Sequence, residues 1–199
     1  MKTKLEEKSN TVDLLKREND ALKSTVKDLT SRLNIVEVHM RESNIEINGI
    51  PENRNENLMN VVVHLSKIIE NPLTEEDIQH VTRVAQFNRT TEKPRSVIVK
   101  LRSARHRDAV LASVAQYNKK NPKEKLNTRH LGIGGTSRPI YVSEHLSPTN
   151  KALHAATRKK AKEMNYRFTW IRNGKIFVRK DEFGQAKQVK SMDYLNIIN

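Results

Sequence analysis
The chain has 199 residues, with 37 Lys and Arg against 23 Asp and Glu, a net charge of +14 and no cysteine. That length holds a rod and two small domains, and the absence of cysteine excludes disulfides, thiolate nucleophiles and cysteine-ligated zinc. The positive excess suits a polyanionic partner, either nucleic acid or an anionic membrane surface.

The charge rises along the chain. Residues 1–43 carry 9 basic and 8 acidic side chains, residues 44–137 carry 15 and 10, and residues 138–199 carry 13 and 5. No apolar run approaches the roughly 20 residues that span a bilayer. Met1-Lys2-Thr3-Lys4-Leu5-Glu6-Glu7 lacks the apolar core of a signal peptide. The expectation is an intracellular protein, cytoplasmic, nuclear or both, with no membrane span.

Residues 1–43 form the first predicted element. With Leu5 at heptad position a, the a sites are Leu5, Val12, Asn19, Val26, Leu33 and Met40, and the d sites are Lys8, Leu15, Leu22, Leu29 and Val36. Nine of these eleven are apolar and the e and g sites are polar, which predicts a coiled-coil oligomerisation helix. Val at a, Leu at d and one Asn at a favour a parallel dimer in register, with a trimer second. In a parallel dimer Glu18 faces Lys23 and Arg32 faces Glu37, both attractive pairs. Only Lys2 and Lys4 precede the seam, so the dense basic helix of a leucine-zipper transcription factor is missing.

Residues 44–142 read as βαββαβ, the order of a ferredoxin-like or RRM-like sandwich. A short strand ends at Gly49 and Pro51, and a helix spans 57–70 with Leu58, Val61, Val62, Leu65, Ile68 and Ile69 at helical spacing. A second strand runs from Ile78 to Phe87, after a helical turn at Thr74-Glu75-Glu76-Asp77. Ser96-Val97-Ile98-Val99-Lys100-Leu101 is the third strand, 104–117 is helical, 118–137 is a flexible connector, and Pro139-Ile140-Tyr141-Val142-Ser143 is the last strand. Gly132-Ile133-Gly134-Gly135 fits the GxxG pattern of KH domains, but it precedes a strand instead of joining two helices. The first and third strands carry no aromatic residue, so the base-stacking surface of RNA-recognition motifs is absent there. What remains is charge, on Arg83, Arg95, Lys100, Arg102, Arg105 and Arg107. Period two puts Val97, Val99 and Leu101 on a core face, leaving Lys100 and Arg102 on the open face as phosphate contacts or as solvated charges.

Residues 143–199 form a basic α+β module. Ser147-Pro148 opens a helix that runs to about Met164, with Leu153, Ala156, Ala161 and Met164 as its apolar stripe. Its Lys151, Arg158, Lys159, Lys160 and Lys162 face one acid, Glu163, which points to phosphate contact. The 158–162 run also has the composition of a nuclear-import signal. Asn173-Gly174 between two alternating segments predicts a type I′ hairpin pairing Arg172 with Lys175, Trp170 with Phe177 and Phe168 with Arg179. One face then carries Tyr166, Phe168, Trp170 and Phe177 among Arg172, Lys175 and Arg179. The other carries Thr169, Ile171, Ile176 and Val178. Because the helix has few large residues, Trp170 and Phe177 are expected to pack beneath it as core; the alternative is that they stack bases.

These residues resemble two families. Asn48-Gly49-Ile50-Pro51-Glu52 after a coiled coil, Val81-Thr82-Arg83-Val84 and Pro94-Arg95-Ser96-Val97-Ile98-Val99-Lys100-Leu101 are similar to the first open-reading-frame protein of LINE-type retrotransposons. Tyr141-Val142-Ser143-Glu144-His145-Leu146-Ser147-Pro148 and Asn173-Gly174-Lys175-Ile176-Phe177-Val178-Arg179-Lys180-Asp181-Glu182 resemble the C-terminal domain of the baculovirus FP (few-polyhedra) protein and its insect transposon-derived relatives. The resemblance implies a chaperone-like coat protein of a virus or mobile element that binds single-stranded RNA or DNA. It favours Arg83, Lys100 and Arg158 as binding residues, and it raises the trimer.

The function expected is homo-oligomeric, sequence-tolerant binding of single-stranded nucleic acid, many weak contacts acting together through oligomerisation. The alternative is a coiled-coil scaffold that recruits a protein partner, its basic surface docking on acidic partners or membranes. The seven histidines are scattered without an HExxH or triad-like arrangement and there is no P-loop. No enzyme activity, cofactor or metal is expected.

Overall fold
The computed structural model describes residues 2–85 and 93–197, with main chain only for 2–6 and 197. The end of the expected second strand at 86–87 and the side chain of Leu5 lie outside the described residues. The chain divides into two compact units, Met1–His39 and Met40–Asn199. It is α+β, with a long N-terminal helix and two antiparallel sheets.

Helix α1, Lys2–Met40, has 39 residues, a length of about 58 Å at 1.5 Å per residue. Val12, Leu15, Leu22, Val26, Leu29, Leu33 and Val36 are all exposed, from 48% at Val12 to 64% at Leu22. A single copy of the helix therefore carries a continuous uncovered apolar seam. In that copy Lys23 lies 3.6 Å from Asp20 and Arg32 lies 3.8 Å from Asp28, one turn along the same helix.

In the second unit the chain runs β1 Asn44–Asn48, α2 Leu58–Ile68, β2 Ile78–Arg83, β3 Val97–Leu101, α3 Ala104–Lys120 and β4 Tyr141–Glu144. The strands form one antiparallel sheet in the order β2-β3-β1-β4. Asn57 caps α2 by accepting from the Asn60 amide, and Ser103 caps α3 by accepting from His106; each supplies an oxygen to an otherwise unpaired first-turn N–H. Both helices pack on one face of the sheet. Val62 and Leu65 of α2 and Val110 and Val114 of α3 join Ile45, Ile47, Val97, Val99 and Leu101 in one buried cluster.

Gly49 explains the sharp exit from β1. Its φ is +96°, and a Cβ there would collide with the Pro139 carbonyl oxygen, so both backbone and space demand glycine. The stretch 118–137, expected as a flexible connector, is tied down. Leu126 is buried in the core, the Thr128 amide donates to the Arg138 carbonyl and the Ile140 amide to the Leu126 carbonyl. Leu126, six residues after the end of α3, together with these backbone bonds anchors a segment whose composition reads as loop.

The rest is α4 Pro148–Glu163, β5 Phe168–Arg172, β6 Lys175–Arg179 and β7 Lys187–Val189, followed by a 3₁₀ segment at Met192–Ile197. The strands form a second antiparallel sheet in the order β5-β6-β7. Ser147 caps α4 by accepting from the Asn150 amide, with Pro148 in the first turn. Leu153, Ala161, Tyr166, Ile176, Val178 and Val189 make the second buried cluster.

Candidate nucleic-acid interface
The hairpin register is set by its turn. Asn173 and Gly174 both have positive φ, 52° and 68°, as a type I′ turn requires. Arg172 pairs with Lys175, Trp170 with Phe177 and Phe168 with Arg179. Ile176 and Val178 face α4 in the buried cluster, with Ile171 half-buried against it. Trp170 and Phe177 therefore lie on the opposite, outer face. This corrects the expectation that they form core beneath α4. The β-branched face fills that space, helped by Tyr166, so the two rings are left outside.

On that outer face Trp170 and Phe177 stack on each other, with centroids 5.6 Å apart and planes 15° from parallel. The Arg179 guanidinium lies 4.7 Å over the Phe168 ring, and that of Arg167 lies 5.5 Å from the same ring. Arg167 also pairs with exposed Glu182 at 2.9 Å. Arg167, Phe168, Thr169, Trp170, Arg179 and Ala186 line an open depression of about 480 Å³. Arg172 and Lys175 are exposed beside the turn.

The stripe of α4 that meets the hairpin includes Asn150, Leu153, Thr157 and Ala161. Asn150 Nδ2 donates to the Gly174 carbonyl at 3.0 Å, and the Thr157 hydroxyl donates to the Leu153 carbonyl at 2.7 Å. Arg158, Lys159 and Lys162 stand exposed on the remainder of the helix, and Lys160 is half-buried. Because α4 covers the inner face of the hairpin, its cations and the aromatic face stand on opposite sides of the module. Burial holds the His154 imidazole below its usual pKa, with Arg158 adding to the effect.

The turn is also gripped from the first sheet. Glu144, at the end of β4, accepts from the Asn173 amide at 2.9 Å and the Gly174 amide at 2.7 Å. Arg107 of α3 lies 3.8 Å from that carboxylate and donates to Asn173 Oδ1 at 2.6 Å. Arg107, read from sequence as one of the surface cations, is 2% exposed. Lys151 of α4 reaches Glu46 of β1 at 2.8 Å. Glu46 lies on the sheet face turned away from α2 and α3, so α4 meets that face there.

The remaining candidates are dispersed. Arg83, whose side chain is 4% exposed, pairs with Glu56 at 2.6 Å and donates to the carbonyls of Ile50, Pro51 and Arg95. It is an internal tie, and its hydrogen bond keeps Glu56 below the usual carboxylate range. Arg95 donates to Glu52 at 2.8 Å, and the bond pulls the Glu52 pKa down to about 2. Lys100 is exposed on β3 opposite Asn44 and His80, and Arg102 and Arg105 are exposed just beyond it.

Sequence reasoning missed Arg167 and Ala186 as lining residues. Arg167 precedes the strand, which begins at Phe168, so strand alternation does not assign it a face. The spacing 150, 153, 157, 161 carried a signal that Asn150 and Thr157 are buried. Among the described residues no group of His, Asp or Glu is arranged to hold a metal ion, and no helix is long and apolar enough to cross a membrane.

Residues 147–199 match the family model Baculovirus FP protein domain 2. No curated protein matches the chain.

Proposed function
We propose, from the match of residues 147–199 to the family model Baculovirus FP protein domain 2, that this chain is a homo-oligomeric, sequence-tolerant binder of single-stranded nucleic acid. The observation that carries the reading is the set of exposed cations on that segment. Arg158, Lys159 and Lys162 on α4 and Arg172 and Lys175 beside the hairpin turn are exposed, and none enters an ion pair among the described residues. Cations outside ion pairs neutralise phosphates and release counterions, which binds a polyanion without reading its bases.

The βαββαβ order and the β2-β3-β1-β4 sheet support an RRM-like reading of residues 44–142. That sheet carries little of the binding in our reading. Its first strand holds Glu46, already paired with Lys151, and Arg83 is committed internally. Lys100, Arg102 and Arg105 are the candidates left to it. The apolar seam of α1 supports self-association as a parallel dimer, with the trimer second. Oligomerisation multiplies weak contacts by holding several modules on one strand, the behaviour of a chaperone-like coat protein of a virus or mobile element.

Fluorescence anisotropy with a labelled single-stranded RNA, titrated across salt beside a duplex competitor, tests the reading. Each phosphate contact contributes about −0.7 to the slope of log affinity against log salt. Replacing Arg158, Lys159 and Lys162 together by Ala should make the slope shallower by about 2, equally for all sequences. An unchanged affinity and slope would remove α4 from the interface. No binding by the parent chain at low salt would pass first place to the scaffold reading, in which α1 recruits a protein partner.

A further inference from the structure
We propose that the outer face of the β5–β6 hairpin is a stacking site for an unpaired nucleobase, centred on Trp170 and Phe177. The inference rests on the phosphate-binding reading above and adds to it a contact with the base.

Three cross-strand pairs lie in a column on this face: Phe168 with Arg179, Trp170 with Phe177, and Arg172 with Lys175. Successive pairs on one face are two residues apart, about 7 Å at 3.4 Å per residue. An aromatic pair thus sits between an Arg at one end and an Arg–Lys pair at the other. A nucleotide within a strand has the matching order, a flat apolar base flanked by two phosphates. The opposite face of the hairpin is occupied by α4, so only the outer face is open to a ligand.

The rings are held ready for such a contact. Trp170 and Phe177 are near-parallel at 15°, neither belongs to the buried cluster, and both are partly exposed. The Arg179 Nε is buried and has no hydrogen-bond partner among the described residues, and Arg179 lines the depression. The cations decide the class of occupant. An apolar peptide would gain nothing from Arg172, Lys175 and Arg179, whereas a nucleotide uses rings and charges together. A duplex keeps its base faces inside the stack and cannot use the rings, so the site favours single strands.

Trp170 is the sole tryptophan, and its emission reports the site directly. The experiment titrates the full chain with oligoadenylate and with an abasic phosphodiester of equal length, following both Trp170 emission and affinity. Stacking of one base predicts that oligoadenylate binds about 5- to 140-fold tighter than the abasic strand and quenches Trp170. In Phe177→Leu, and in Trp170→Leu followed by anisotropy, the ratio should fall toward one while abasic affinity stays constant. The abasic arm reports a folded phosphate site in each variant. Equal affinity for the two strands without quenching overturns the stacking site and leaves the phosphate reading standing. Failure of both strands to bind overturns both.

Discussion
Replacing Glu144 by Ala tests whether the two sheets of residues 40–199 are coupled through the hairpin turn. The Glu144 side chain is 10% exposed and that of Arg107 is 2% exposed. The substitution removes two charge-assisted hydrogen bonds, to the amides of Asn173 and Gly174, each worth about 1.5–3 kcal/mol. It also takes from buried Arg107 its less exposed carboxylate, leaving Asp108, which is mostly solvent-exposed. Breaking a buried pair from one side costs about 3–5 kcal/mol, and the hydrogen-bond count gives a similar range. We expect a loss of about 3–5 kcal/mol, a large part of the 5–15 kcal/mol typical of a domain. Urea unfolding followed by Trp170 emission measures it. Arg107→Met added to Glu144→Ala should restore part of the loss, because the buried guanidinium, left with the exposed carboxylate of Asp108 as its ion partner, is then removed as well. Glu182→Ala, which breaks the exposed pair with Arg167, should cost less than about 1 kcal/mol. A change below about 1 kcal/mol for Glu144→Ala would refute the reasoning and mean that water serves the turn amides equally well.

Four further outcomes are expected. Arg83→Ala should lower stability by about 3–5 kcal/mol while the salt slope of nucleic-acid binding stays the same; a slope shallower by about 0.7 would return Arg83 to the interface. Gly49→Ala should lower stability by about 2–4 kcal/mol in a thermal melt, from positive φ and contact with the Pro139 carbonyl; an unchanged Tm would contradict the close approach. Burial holds His145 and His154 below 6.5, although Glu46 pulls His145 the other way. The unfolded chain therefore takes up those protons first, and stability should be full above pH 6.5 and decline below it. Glu52 and Glu56, lowered from 4.5 by their arginines, add stability present above pH 4.5 and lost as pH falls, toward about 2 for Glu52. A urea midpoint that rises between pH 7 and 5.5 would reverse the histidine argument. Asn19→Leu should stabilise the α1 assembly but mix its oligomeric states, because one polar a residue pins register; sedimentation equilibrium showing a single unchanged species would dismiss that role.

The parts of the fold legible in the sequence were those governed by neighbours along the chain. Asn173-Gly174 permits one two-residue turn, and that turn permits one register, so every hairpin pair from Phe168–Arg179 to Arg172–Lys175 could be written down in advance. Ser147-Pro148 marked the start of α4, and alternation separated Val97, Val99 and Leu101 from Lys100. The family resemblance of the last segment was legible for the same reason, since it rests on contiguous residues around that turn and helix.

Tertiary structure decided which of two plausible faces was covered and which charges remained free. The hairpin has two faces that either side of a core could accept, and α4 chose Ile176 and Val178 over Trp170 and Phe177. Arg83 and Arg107 look in sequence like Lys100 and Arg105, yet the first two are buried against Glu56 and Glu144, 27 and 37 positions away. Local pattern sets a residue's conformation and its facing direction. Burial depends on what arrives opposite from elsewhere in the chain. For a charged side chain that means a carboxylate close enough to offset its desolvation.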